Sequence, residues 1–163
     1  MIRPSLRKPN QMRPVSMETG VNKWAEGSCL IKIGGTQVLC TASVDLNQPL
    51  WKRVQNKTGG WVTAEYSMLP RACGTRKNRD AIIKDHRSAE ISRLIGRAFR
   101  SVVDMDTLGR HTITIDCDVI QADGGTHTAD EWDRILGFVG NNPRASNLER
   151  FVHNTQERIR NRS

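Results

Sequence analysis

Apolar and polar residues alternate along HTITIDCDVIQ, residues 111–121. Ile113, Ile115, Cys117 and Val119 fall on one side, and Thr112, Thr114, Asp116 and Asp118 on the other. A period of two predicts a strand with one buried face and one polar face, here bearing two carboxylates. WVTAEYSML, residues 61–69, predicts a second strand. Between them, Ile91, Leu94, Ile95, Ala98, Phe99 and Val102 recur at helical spacing and predict a helix over 88–103 with one continuous apolar stripe. Ser88 is expected as its N-cap, with Glu90 in the first turn where an anion is favoured. Arg93, Arg97 and Arg100 form a basic row off the stripe, read equally well as a solvated face or as an RNA contact.

Residues 28–41, SCLIKIGGTQVLCT, place two apolar runs around Gly34-Gly35, which predicts a hairpin with a two-residue turn. That register sets Ile33 opposite Thr36, Ile31 opposite Val38 and Cys29 opposite Cys40. Residues 71–87 are polar and basic and are expected to form an exposed loop. Strands, then a helix, then a strand predict an α+β fold with a mostly antiparallel sheet.

The formal net charge of +8 sharpens this picture, because it is uneven. Arg3, Arg7, Lys8 and Arg13 precede any acid, and residues 71–110 hold ten basic against five acidic residues. Such a surface suits a polyanion, since phosphate contacts release counterions. No apolar run approaches the roughly 20 residues of a membrane span, and the N-terminus has no secretory pattern, so the cytoplasm is the expected compartment. Cys29, Cys40, Cys73 and Cys117 form no metal-ligand spacing and are expected as free thiols.

Two segments have anion-binding character. Arg87 precedes a helix N-terminus, where unpaired N–H groups gather beside a planar guanidinium fork. Gln121 to Thr128 runs from a strand into a Gly-Gly turn, then to Thr126 and His127. Glycines let backbone N–H groups approach an anion there, and an ordinary strand-ending turn has the same composition.

The block DCDVIQADGGT, Asp116 to Thr126, resembles the signature of the ribonuclease PH family. MRPVSMETG (12–20), KWAEGSCLIKIG (23–34), GWVTAEYSMLPRA (60–72) and EISRLIGRAFRSVVD (90–104) resemble it too, in the family's order. The resemblance covers residues 1–129. It implies a two-layer α+β domain, a hexameric ring and a phosphate-dependent 3′–5′ exoribonuclease. Such an enzyme trims tRNA precursors, and rRNA among other RNAs, releasing nucleoside diphosphates in a reversible nucleotidyl transfer. Inorganic phosphate is the implied co-substrate, with Mg²⁺. The implied phosphate site is Arg87, Gly125, Thr126 and His127, and the implied RNA contacts are Arg71, Arg76 and Arg79.

Two departures follow. The family's arginine after Gly-Gly-Thr is His127 here. Histidine is charged only near or below pH ~6.5, and losing one charge-assisted contact costs about 1.5–3 kcal/mol. Residues 130–163 do not continue the family pattern and are expected as an unrelated basic and polar tail, helical or disordered. The family's second half, with the aspartates that hold metal and support catalysis, has no counterpart in them. The expectation is therefore a domain truncated in its second half, with no catalytic residue or metal ligand identified, impaired or inactive, and with the ring in question. The alternatives are a non-catalytic remnant that binds RNA or pairs with subunits, and a fragment without a stable fold.

Overall fold

The computed structural model describes residues 13–83, 86–106 and 108–123. The chain enters through a short strand, β1 (Val15–Thr19), which pairs antiparallel with β2 (Gly27–Ile33). β2 turns at Gly34-Gly35 into β3 (Thr36–Asp45), and the pairs Ile33/Thr36, Ile31/Val38 and Cys29/Cys40 stand opposite each other as the pattern predicts. Of the two turn glycines, only Gly34 has positive φ, +59°, as at the first central residue of a II′ turn. Gly35 is needed for a different reason: a Cβ there would lie 2.6 Å from a carboxylate oxygen of Asp123.

After β3 comes a five-residue helix, α1 (Leu50–Val54), opened by Pro49 in an extended conformation. Strand β4 (Trp61–Met68) follows, then a short helix α2 (Arg79–Ile83), the long helix α3 (His86–Val102), and β5 (Thr112–Gln121). The sheet order is β1-β2-β3-β5-β4. Three of the four pairings are antiparallel; β4 and β5, joined through α3, are parallel. The architecture is α+β with a mixed, mostly antiparallel sheet.

The alternation in β5 works as its pattern predicts. Ile113, Ile115, Cys117 and Val119 are buried, and share a face with Val62, Ala64, Tyr66 and Met68 of β4 and with Val38, Cys40 and Ala42 of β3. Ile91 and Ile95 of α3 close this core. The opposite face, with Thr63, Glu65, Thr114, Asp116 and Asp118, is polar and half exposed or exposed. β4 is the outer strand, and α3 covers its edge. Ser92 Oγ accepts from the Tyr66 N–H at 2.9 Å, and Arg100 Nη1 donates to the Val62 carbonyl at 2.7 Å. Backbone groups that would otherwise offer a template for another strand are thereby met by side chains.

Three expectations need correction. Ser88 is inside α3, not at its cap: its carbonyl accepts from Ser92 Oγ at 2.8 Å, and no acid lies in the first turn, so Glu90 is beyond it. The apolar stripe begins only at Ile91 because the first turn of α3 extends past the core, which is why periodicity placed the start late. The stripe also fades at its end, where Val102 is 52% exposed. Finally, residues 71–87 are not all loop, since they contain α2 and the start of α3.

Candidate functional site

The contacts of α3 fix its direction. Ser92 lies beside Tyr66, Gly96 beside Ala64 and Arg100 beside Val62, so the helix runs antiparallel to β4. Arg87, five residues before Ser92, is about 7.5 Å further along the axis, toward the Met68 end of the strand. Parallel β5 finishes at that same end, with Met68 opposite Val119. Arg87 is exposed in the first turn of α3, where backbone N–H groups lack helical partners.

The segment leaving β5 is anchored on both sides. The Ala122 N–H donates to the Ala72 carbonyl at 2.7 Å, and the Leu69 N–H to the Val119 carbonyl at 2.9 Å. The Asp123 N–H reaches Thr36 Oγ1 at 3.3 Å, and Gln121 Nε2 donates to the Gly35 carbonyl at 2.8 Å. The β2–β3 turn and the loop after β4 therefore hold the β5 exit between them. Arg13 adds a weak contact, Nη1 to the Asp123 carbonyl at 3.5 Å. Gly125, Thr126 and His127 lie outside the described residues.

Of the expected RNA contacts, Arg71 is exposed and donates to the Gly74 carbonyl at 2.8 Å, which curls its loop beside the β5 exit. Arg76 and Arg79 are exposed, Arg79 opening α2. The helical basic row divides. Arg93 and Arg97 are exposed, but Arg100 is half buried: it holds Val62 and lies 4.5 Å over the Trp61 ring. Burial, then the neighbouring Arg97, lowers its pKa from the usual arginine value without removing its charge. Arg100 is a structural residue of the β4 edge.

A second cation had no signal in the sequence. Lys52 is buried, and its Nζ donates to the carbonyls of Gly59 and Gly60 at 2.8 and 2.6 Å, 5.9 Å from the Trp61 ring centre.

The cysteines are free thiols, two of them buried and two half buried. Cys40 and Cys117 sit with sulfurs 3.7 Å apart. The hydrogen bond to Cys117, then burial, raises Cys40 well above the usual thiol value, and burial first raises Cys29 to about 11. Both therefore stay protonated at neutral pH and are poor nucleophiles. On the open sheet face, burial, then Glu65 and Asp118, raises Asp116 above the ordinary carboxylate value. Among the described residues no three His, Cys, Asp or Glu side chains converge as metal ligands.

A mixed five-stranded sheet whose buried face is closed by a helix defines an α+β domain. Its solved structural neighbours include chains of archaeal exosomes. One is the Archaeoglobus fulgidus exosome with RNA bound to the active site, with a TM-score of 0.65 and 25% identity over 78% of this chain and 51% of that one. An archaeal exosome core matches in fold with a TM-score of 0.58, at 21% identity over 75% of this chain and 46% of that one. The profile of the 3′ exoribonuclease family, domain 1, matches residues 11–131, and the chain belongs to that RNase PH family. The proteins named Ribonuclease PH from Caulobacter vibrioides and Brucella ovis are 59% and 58% identical over 130 residues, 78% of this chain and 54% of each relative. The chain spans about half the length of the curated relatives it matches.

Proposed function

We propose that this chain supplies the phosphate- and RNA-holding side of a phosphate-dependent 3′–5′ exoribonuclease acting on tRNA precursors and other RNAs, with residues 1–129 as its domain and 130–163 outside it. A phosphate oxygen attacks the phosphorus of the 3′-terminal phosphodiester. The new P–O bond forms as the bond to the penultimate ribose O3′ breaks. The products are a nucleoside diphosphate and an RNA one nucleotide shorter, whose O3′ takes up a proton. Arg87 holds the attacking phosphate with a bidentate fork and offsets charge on its oxygens. Gly125, Thr126 and His127 complete the cradle, and Arg71, Arg76 and Arg79 hold the RNA backbone. The cytoplasm and a ring of like subunits accord with this role.

The observation that carries the reading is the antiparallel register of α3 on β4. It brings the Arg87 turn to the end of the sheet where β5 exits through Asp123, immediately before the Gly-Gly-Thr segment. A second reading, RNA binding without turnover, is favoured by residues 130–163, which contain no counterpart of the family's aspartate pair. The test is phosphate-dependent release of nucleoside diphosphate from a short 3′-tailed RNA, with Arg87→Ala as control. Release that needs both phosphate and Arg87 supports turnover. RNA and phosphate binding without release, the expected result for these 163 residues alone, supports the second reading. Binding of neither sinks both.

A further inference from the structure

At the other end of the sheet, where β4 and β5 begin, a cleft of about 580 Å³ opens on the polar face. It lies within the usual size of small-ligand sites, roughly 300–1,000 Å³. Trp51 and Trp61 line it, together with Arg53, Thr63, Thr114 and Asp45. The Trp51 and Trp61 rings meet in a T, centroids 5.0 Å apart at 86°. Trp61 is itself held by Arg100 and Lys52, both of which are bonded to backbone carbonyls. Trp51 packs against this held ring while 43% of it remains exposed. An exposed indole packed against a second ring is a stacking platform for a flat ring.

The charges around it favour one ligand chemistry. Asp45, the acid of the cleft, is turned into its own loop, where its carboxylate accepts from the Asn47 N–H at 2.8 Å and Asn47 Nδ2 at 3.2 Å. Arg53 is exposed and makes no ion pair among the described residues, and Lys57 Nζ lies 5.7 Å from the Trp51 ring centre. The hydroxyls of Thr63 and Thr114 on the polar face can donate to or accept from a base edge. A planar group with hydrogen-bonding edges, tied to a negative backbone, satisfies all three features.

We propose that this cleft binds one nucleobase of single-stranded RNA by stacking on Trp51, with Arg53 on the adjoining phosphate. It is a second RNA contact, separated from the Arg87 end by the length of β4, about 23 Å at strand spacing. The proposal rests on the RNA reading above and concerns a part of the surface that reading leaves unused.

The test is binding of a fluorescent octauridine to the 163-residue chain, followed by photocrosslinking with 4-thiouridine in the same oligonucleotide. Trp51→Leu should weaken binding about fivefold or more, the lower range for loss of one base stack, while Trp51→Phe keeps most of it. The crosslink should map to the peptide holding Trp51. Should Trp51→Leu fail to fold by circular dichroism, the wild-type crosslink and a Thr63→Val/Thr114→Val variant decide. Unchanged affinity in folded Trp51→Leu, or crosslinks confined to the Arg71–Arg79 region, overturns the cleft while leaving the RNA reading intact. A change in sedimentation mass without a change in RNA affinity makes the cleft a contact between copies and overturns the proposal. No RNA binding by the wild-type chain at all removes the RNA reading and this proposal together.

Discussion

Cations at the two ends of strand β4 divide by burial, not by residue type. At the Trp61 end, Lys52 and Arg100 are withdrawn from solvent, bonded to the carbonyls of Gly59, Gly60 and Val62, and laid against an indole. At the Met68 end, Arg71, Arg76, Arg79 and Arg87 are exposed. A cation bonded to buried carbonyls stabilises the chain and has little left to offer a ligand. A cation on the surface contributes little to stability, because water screens it, and stays accessible to an anion. A net charge of +8 therefore overstates the binding surface, and position in the fold decides which charges count.

The sharpest way to break this contrast is to delete one cation from each end. Lys52→Ala removes two charged hydrogen bonds, leaving the Gly59 carbonyl to Gln48 Nε2 and the Gly60 carbonyl without this donor, and should cost about 3 kcal/mol in urea unfolding, at about 1.5 kcal/mol per charged hydrogen bond. Arg79→Ala should stay within about 0.5 kcal/mol. Equal losses would mean that the two ends do not differ as described.

At the exposed end, a gain is more informative than a loss. His127→Arg should tighten phosphate binding about tenfold near neutral pH, with the advantage shrinking below pH ~6.5 as the imidazole of the parent gains its proton. Titration by phosphorus NMR at two pH values checks it, and a pH-independent ratio would remove His127 from the phosphate site. Replacing Arg71, Arg76 and Arg79 together by alanine should flatten the slope of log affinity for single-stranded RNA against log salt by about 2, from roughly 0.7 per phosphate contact. Melting temperature should barely move, and an unchanged salt slope would return these arginines to a merely solvated face.

The smallest expected effect lies between the ends, at Asp116. Its carboxyl is raised by burial first and by Glu65 and Asp118 next, so the folded chain holds this proton more tightly than the unfolded one. Its ionised form therefore costs stability above the folded pKa, and the cost vanishes below the ordinary value of 3.8. Asp116→Asn should be more stable than the parent at pH 7 and indistinguishable from it near pH ~3. A variant destabilised at pH 7 would show that the carboxylate makes a favourable contact on the open face.

Much was written in local pattern. The period-two alternation of β5, the helical stripe of α3 and the Gly34-Gly35 hairpin with its register follow from side-chain periodicity and turn stereochemistry, which need only near neighbours. The anion character of Arg87 was equally local, since a guanidinium near a helix start has it in any fold. The start of α3 was misread because a first turn beyond the core carries no apolar marker. β1 and α1 gave no periodic signal over five residues each.

Only the tertiary structure decided which cations are free. Arg93, Arg97 and Arg100 share one helical row in the sequence, yet Arg100 alone reaches the Val62 carbonyl and the Trp61 ring. Lys52 reads as a surface lysine until Gly59 and Gly60 turn their carbonyls onto it. The parallel pairing of β4 with β5 was likewise invisible, because strands joined through a helix can pair either way until packing selects one. Each of these depends on a contact between residues distant in the chain or on how a loop folds, and hydrophobic periodicity holds no information about either.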